Sequence, residues 1–204
     1  LLSDESYVAF ALGKLNFTLA GFRVDTEGYR EIGHRIRQGA IEVRPVQSAP
    51  GSSVAAVYTA RLDRLSVPAG LDLHTPGRRR VMDQSMIVHE VTHALVDFHR
   101  HTTTGALDEA CAYVAGQLYA MSLGGVQASS RPRDGAIFAA ARAIVQQRRM
   151  KFATGAVLMA HDPDVAALAA AVRGHTSAYP DADVQRTGDG IRGGLIDPWY
   201  MPRN

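Results

Sequence analysis

His89-Glu90-Val91-Thr92-His93 sets two imidazoles four residues apart, with a carboxylate directly after the first. On a helix that spacing leaves the histidines about 40° apart in projection and about 6 Å apart along the axis, close enough to share one metal ion. Glu90 falls beside them, where it reaches a water on the ion rather than the ion itself. Zinc brings such a water to a pKa of about 7, and a neighbouring carboxylate can then take its proton. The residues around the motif, Met86, Ile87, Val88 and Val91, are apolar. Two histidines and a glutamate in such a helix are costly without a ligand. The pattern therefore predicts a Zn2+ site with hydrolytic chemistry.

A catalytic zinc commonly takes three protein ligands and keeps one position open. Two residues compete to be the third. His99 stands six residues after His93, the place a metzincin pattern would use, but that pattern needs a glycine three residues after the second histidine, and here the position is Val96. If the helix continues, His99 lies about 600° around and about 9 Å further along it, out of reach. It then reads as a helix C-terminal residue favoured by the dipole. Glu109, early in the next helix, is the alternative, and the geometry of a continued helix favours it. Leu107, Ala110, Cys111, Val114 and Leu118 give that helix a buried face, while Glu109 and Tyr113 share a neighbouring one.

Residues 89–116, HEVTHALVDFHRHTTTGALDEACAYVAG, resemble the active-site helices of the gluzincin metallopeptidases, thermolysin-like peptidases above all. The shared features are HExTHA, the aspartate at Asp97, and the run Gly-Ala-Leu-Asp-Glu-Ala that begins at Gly105. The resemblance implies His89, His93 and Glu109 as zinc ligands, Glu90 as general base, and a peptide or protein substrate. It implies Asp97 as the residue holding the free ring nitrogen of a ligand histidine, His93. It also leans toward a secreted or periplasmic protein. The family has an aspartate four residues after the glutamate ligand, where this chain has Tyr113. Tyr113 can offer its hydroxyl to the ligands or simply pack, and both readings stand. The linker between the helices is shorter than in thermolysin and carries no tyrosine to act as transition-state donor. A downstream histidine fills that role in the family. His161, His175, Tyr119 and Tyr179 are available here, and His175 is the first choice.

These side chains need a frame. Ser3 to Ala20 carries apolar residues at near-helical spacing. Thr26 to Gln38 reads as a helix capped by Thr26 and stopped by Gly39. Ala40 to Val46 alternates as a half-buried strand does, Pro50 to Ser53 is a turn, Val54 to Ala60 a second strand, and Arg64 to Val67 a third. Thr75-Pro76 is a good helix start, and the apolar period then runs through His99. His101 to Gly105 reads as loop, Ala106 to Met121 as a second helix ended by Gly124-Gly125, and Asp134 to Lys151 and Asp162 to Arg173 as further helices. The segment after His175 reads as loop, and its Asp197 to Tyr200 stretch as a covering or docking segment.

The expectation is a single α+β, zincin-like domain. Residues 1–74 would form a helix and small-sheet lobe, and residues 75–204 a mainly helical lobe carrying the active-site helices. In such a fold an edge strand borders the cleft and holds an extended peptide by backbone hydrogen bonds, and Val54 to Ala60 is the strand nominated. The alternative is a non-catalytic zinc-binding regulatory or interaction module with a degenerate site.

Composition narrows the rest. With 46% hydrophobic and 21% charged residues the chain is ordinary globular protein, not a disordered one. A formal charge of +2 with scattered basic residues gives no nucleic-acid footprint. Arg78-Arg79-Arg80 and Arg148 to Lys151 read as solvated helix ends. No apolar run approaches the ~20 residues of a membrane span. One cysteine, Cys111, excludes an intrachain disulfide and a Cys-rich zinc knuckle; on the apolar face of its helix it reads as a small buried hydrophobe.

Overall fold

The computed structural model describes residues 15–47, 56–69, 78–125, 132–150 and 155–191. Among them lie five α-helices and eight short strands in three small sheets, a mixed α+β architecture. The turn expected at Pro50 to Ser53, the helix start at Thr75-Pro76 and the Asp197 to Tyr200 segment lie outside the described residues.

β1 (Phe17–Leu19) and β2 (Phe22–Val24) form an antiparallel hairpin. Its two-residue turn, Ala20-Gly21, has φ values of 51° and 83°, the left-handed pair that suits the twist of a tight hairpin and that glycine accepts readily. The stretch expected to run helical to Ala20 therefore ends as a strand. Phe17, Leu19, Phe22 and Val24 are all buried. β7 (Ala156–Leu158) pairs parallel with β1, so this sheet joins chain segments more than a hundred residues apart.

α1 (Thr26–Arg37) buries Tyr29 and Ile32 and turns its charged residues outward. Its cap is Asp25, not Thr26 as expected: the Asp25 carboxylate accepts the Gly28 N–H at 2.8 Å. Gly39, at φ 74°, ends the turn after it as anticipated. β3 (Glu42–Val46), β4 (Val57–Thr59) and β5 (Arg64–Pro68) make a mixed sheet in the order β3-β5-β4. A 3-10 turn at Ala60–Leu62 joins the antiparallel pair β4 and β5. The half-burial expected of β3 is not found. Its residues are mostly exposed, because β3 is an outer strand held by pairing with β5, and Leu65 of β5 reaches the core in its place.

α2 (Arg78–Phe98) is the central element. One side, with Ile87, Val88, Val91 and Leu95, is sealed in the core; the other carries His89, Glu90 and His93. Gly28 of α1 lets the helices meet closely, since a Cβ there would stand 2.7 Å from Leu95 Cδ1. Thr92, wholly buried behind the motif, donates its hydroxyl to Val88 O at 2.8 Å. That hydroxyl has one proton, so the Tyr29 hydroxyl 2.7 Å away must be the donor to Thr92.

α3 (Gly105–Ser122) is capped by Thr104, whose hydroxyl accepts from Leu107 N–H. It is rich in alanine and buried on nearly every side, so α2, α4 (Pro132–Gln147) and α5 (Pro163–Arg173) all pack against it. The segment between α2 and α3 is not a plain loop. Thr102–Thr104 forms β6, which pairs antiparallel with β8 (Gln185–Thr187) from the stretch expected to be loop. These strands are too short to show a period of two, and only their partner defines them. Among the described residues no helix is long and apolar enough to cross a membrane. The Arg148 guanidinium is held by Asp162 and Asp164, both at 3.0 Å.

Candidate metal centre

Two consecutive helices build the site. α2 continues unbroken to Phe98 and presents His89 and His93 on adjacent turns of one face. β6 then reverses the chain, and α3 places Glu109 in its first turns, facing them. His89 Nε2 and His93 Nε2 are 3.3 Å apart, and the Glu109 carboxylate lies 3.4 Å from the former and 3.6 Å from the latter. One ligand atom from each falls within 4.8 Å of the others. His99 takes no part. It lies past the end of α2 with its ring against Phe22 and Phe98.

The three residues form a group that could hold a metal ion. Two imidazole nitrogens and one carboxylate oxygen are a recognised catalytic ligand set. Glu109 Oε2 is buried with no hydrogen bond to it, although His89 stands close by. Polar atoms that face one point in a buried place and leave an acceptor unsatisfied are what a cation would resolve. In the metal-free chain the same groups perturb one another. Burial would raise the Glu109 carboxyl, yet His93 and His89 hold it well below the usual carboxylate range. Burial would lower His93, yet Asp108 and Glu109 hold it well above the usual imidazole range.

Asp108 is the residue that sequence reasoning missed. Its Oδ1 lies 3.0 Å from His93 Nδ1, the ring nitrogen turned away from Glu109. Asp108 thus stands where Asp97 was expected, at ion-pair distance from the ring. Asp97 instead accepts the Tyr58 hydroxyl at 2.8 Å and the Gly190 N–H at 3.1 Å. The reason is direction: Asp97 lies beyond His93 on the same helix and faces β4 and the strand-to-tail segment, whereas Asp108 arrives from the opposite helix. The signal for Asp108 was its place next to Glu109, which sequence alone could not orient.

Glu90 lies on the cleft side, its Oε1 3.8 Å from His89 Nε2. Its other oxygen accepts the Tyr58 backbone N–H at 2.8 Å. Burial lifts the Glu90 carboxyl above its ordinary range, against the opposing pull of the two histidines and the Tyr58 N–H.

The cleft above these residues has a volume of about 620 Å3. Ala56 to Tyr58 and Arg61 form one wall, while Thr103, Tyr179 and the Arg186 to Asp189 segment form the other. Of the strand nominated to border the cleft, Val54 to Ala60, residues 54 and 55 lie outside the described residues, and β4 (Val57–Thr59) lines it as an outer strand of its sheet. Tyr113 packs its ring edge-on against His89, with centroids 4.5 Å apart, and its hydroxyl meets that of Tyr179. Of its two readings, packing describes the ring, and the hydroxyl goes to Tyr179 rather than to a ligand. His175 is not on the cleft wall. Its Nε2 contacts Asp134 at 2.7 Å, and its ring stands beside Tyr179. Tyr179 is the group that lines the cleft. Tyr119 is wholly buried with its hydroxyl on Gln84, and His161 is exposed away from the cleft.

No family model matches the chain, and neither any curated protein nor any solved structure does.

Proposed function

We propose that the chain is a zinc-dependent hydrolase, a zincin-like peptidase of the gluzincin type acting on peptide bonds. The observation that carries the reading is the convergence of His89, His93 and Glu109 at the floor of an open cleft, with Glu90 beside them and not among them. A bound zinc would supply a water of lowered pKa and polarise a substrate carbonyl.

The protein's own residues do the rest. Asp108 fixes the His93 ring by its contact at Nδ1. Glu90, buried and raised in pKa, accepts a proton on Oε1 and returns it to the leaving amine. β4 borders the cleft as an outer strand of its sheet, with its outward Ala56 and Tyr58 N–H groups taken by Met86 and Glu90. Tyr179 takes the donor role first assigned to His175. Its hydroxyl is held well above the phenol range, chiefly by burial, so it stays protonated, and with Tyr113 donating within the hydroxyl pair its own proton would be free for a developing oxyanion.

The test is hydrolysis of fluorescein-labelled casein and of a mixed peptide pool by zinc-loaded protein, with Glu90→Gln beside it. The expected result is turnover in the wild type and a loss of about 10²- to 10⁴-fold in the variant at equal zinc content. Zinc without turnover in the wild type would favour the non-catalytic zinc-binding module. No zinc at all would sink both.

A further inference from the structure

Tyr58 touches the proposed machinery twice. It is the middle residue of β4, opposite Leu65 of β5. Its backbone N–H turns away from that pair and donates to Glu90 Oε2 at 2.8 Å. Its side chain runs along α2 toward the helix end, where the hydroxyl donates to Asp97 Oδ2, also at 2.8 Å. Asp63 Oδ1 stands 3.5 Å away, and a hydroxyl with one proton serves the nearer acceptor. Glu90 and Asp97 are seven residues apart on α2, a span of about 10 Å. One residue of β4 thus pins the strand to the helix at two points.

Asp97 is a firm anchor. It is 3% exposed, and its second oxygen is taken by the Gly190 N–H. The chain at Gly188 is pressed against it so closely that a Cβ there would stand 2.6 Å from Asp97 Cα. The same carboxylate therefore ties both walls of the cleft to the end of α2.

We propose that Tyr58, anchored through Asp97, is the positioning residue for Glu90. The proposal rests on the hydrolase reading above. A glutamate side chain has three rotatable bonds, and only one of its oxygens can do the proton transfer at a time. With Oε2 held by the Tyr58 N–H, Oε1 is the oxygen turned toward His89 and free to act. Loosening the hydroxyl anchor lets β4 drift, and with it the N–H that aims the base.

Tyr58→Phe removes the hydroxyl and little else, and two readouts on the zinc-loaded full chain test its role. Hydrogen exchange at the residue-58 amide, followed by NMR, is expected to quicken at least tenfold in Tyr58→Phe and in Asp97→Ala, while α3 core amides keep their wild-type rates. In a Glu90→Ala background that amide is already released, and adding Tyr58→Phe is expected to change it no further. With labelled casein, Tyr58→Phe is expected to lower kcat by about 10- to 100-fold at unchanged KM. An unchanged residue-58 amide, a uniform quickening that includes α3, or wild-type kcat would overturn the proposal. Wild-type protein that binds no zinc or turns over no casein overturns the hydrolase reading instead, and the amide coupling separates that failure from this one.

Discussion

His93 Nδ1 lies 3.0 Å from Asp108 Oδ1, while the same ring's Nε2 faces Glu109, the next residue in the chain. Two adjacent acids of α3 therefore grip one imidazole from both of its nitrogens. In the proposed zinc site Glu109 would share the ion with His93, and Asp108 would hold the ring from its far side. Asp108→Ala is expected to weaken zinc binding by about 10- to 100-fold. Asp97→Ala should leave zinc affinity within a factor of about three, since Asp97 touches no ligand, while lowering the melting temperature. Calorimetric titration of both variants with zinc checks the assignment, and the reverse order of effects would restore Asp97 to the role the resemblance gave it.

Glu109→Ala would remove one of the three proposed ligands. Purified wild type should carry about one zinc per chain, Glu109→Ala little or none, and His99→Ala as much as wild type. Metal content by mass spectrometry reads this directly. Loss on His99→Ala with retention in Glu109→Ala would mean the ligand set is wrong.

The raised pKa of His93 makes zinc binding pH-dependent. A ligand imidazole must be neutral, so uptake of zinc near neutral pH should release up to one proton, and affinity should fall as pH is lowered. The same shift has a stability consequence for the metal-free chain. A histidine whose folded pKa is raised contributes stability that is fully present below its ordinary value of 6.5 and lost as pH rises through the folded value. Glu90, raised by burial, acts with the same sign. The metal-free protein should therefore melt at lower temperature as pH climbs past 6.5, and added zinc should flatten that decline. Calorimetry in two buffers of different ionisation enthalpy counts the proton, and melting curves across pH test the slope.

Tyr179→Phe deletes the one hydroxyl that both lines the cleft and pairs with Tyr113. If it stabilises an oxyanion, kcat should drop by about 10²- to 10³-fold with zinc content intact. His175→Ala, away from the cleft wall and paired with Asp134, should cost far less activity. Equal losses in the two variants would return His175 to consideration.

Gly188→Ala tests the clamp at the end of α2. A Cβ there collides with backbone rather than with a movable side-chain tip, so a destabilisation of about 1–3 kcal/mol is expected in denaturant titration. A neutral result would show that the tail segment can lift off Asp97.

His89, Glu90 and His93 could be read from sequence because a helix's own geometry converts a spacing of four residues into shared direction. Val96 in place of a glycine likewise indicated that α2 would continue and carry His99 out of reach, and α2 does continue to Phe98. Glu109 could be nominated because the face it shares with Tyr113 follows from the same period. Other features depended on partners distant in the chain. β6 and β8 are three residues each and exist by pairing with one another across more than eighty residues. β7 likewise exists by pairing with β1. The choice of Asp108 over Asp97, of Tyr179 over His175, and the double hold of Tyr58 all turn on which side chain a neighbouring element presents. Local spacing decides direction along one helix. Which acid, hydroxyl or amide meets that helix from outside is decided by packing, and only the folded chain supplies it.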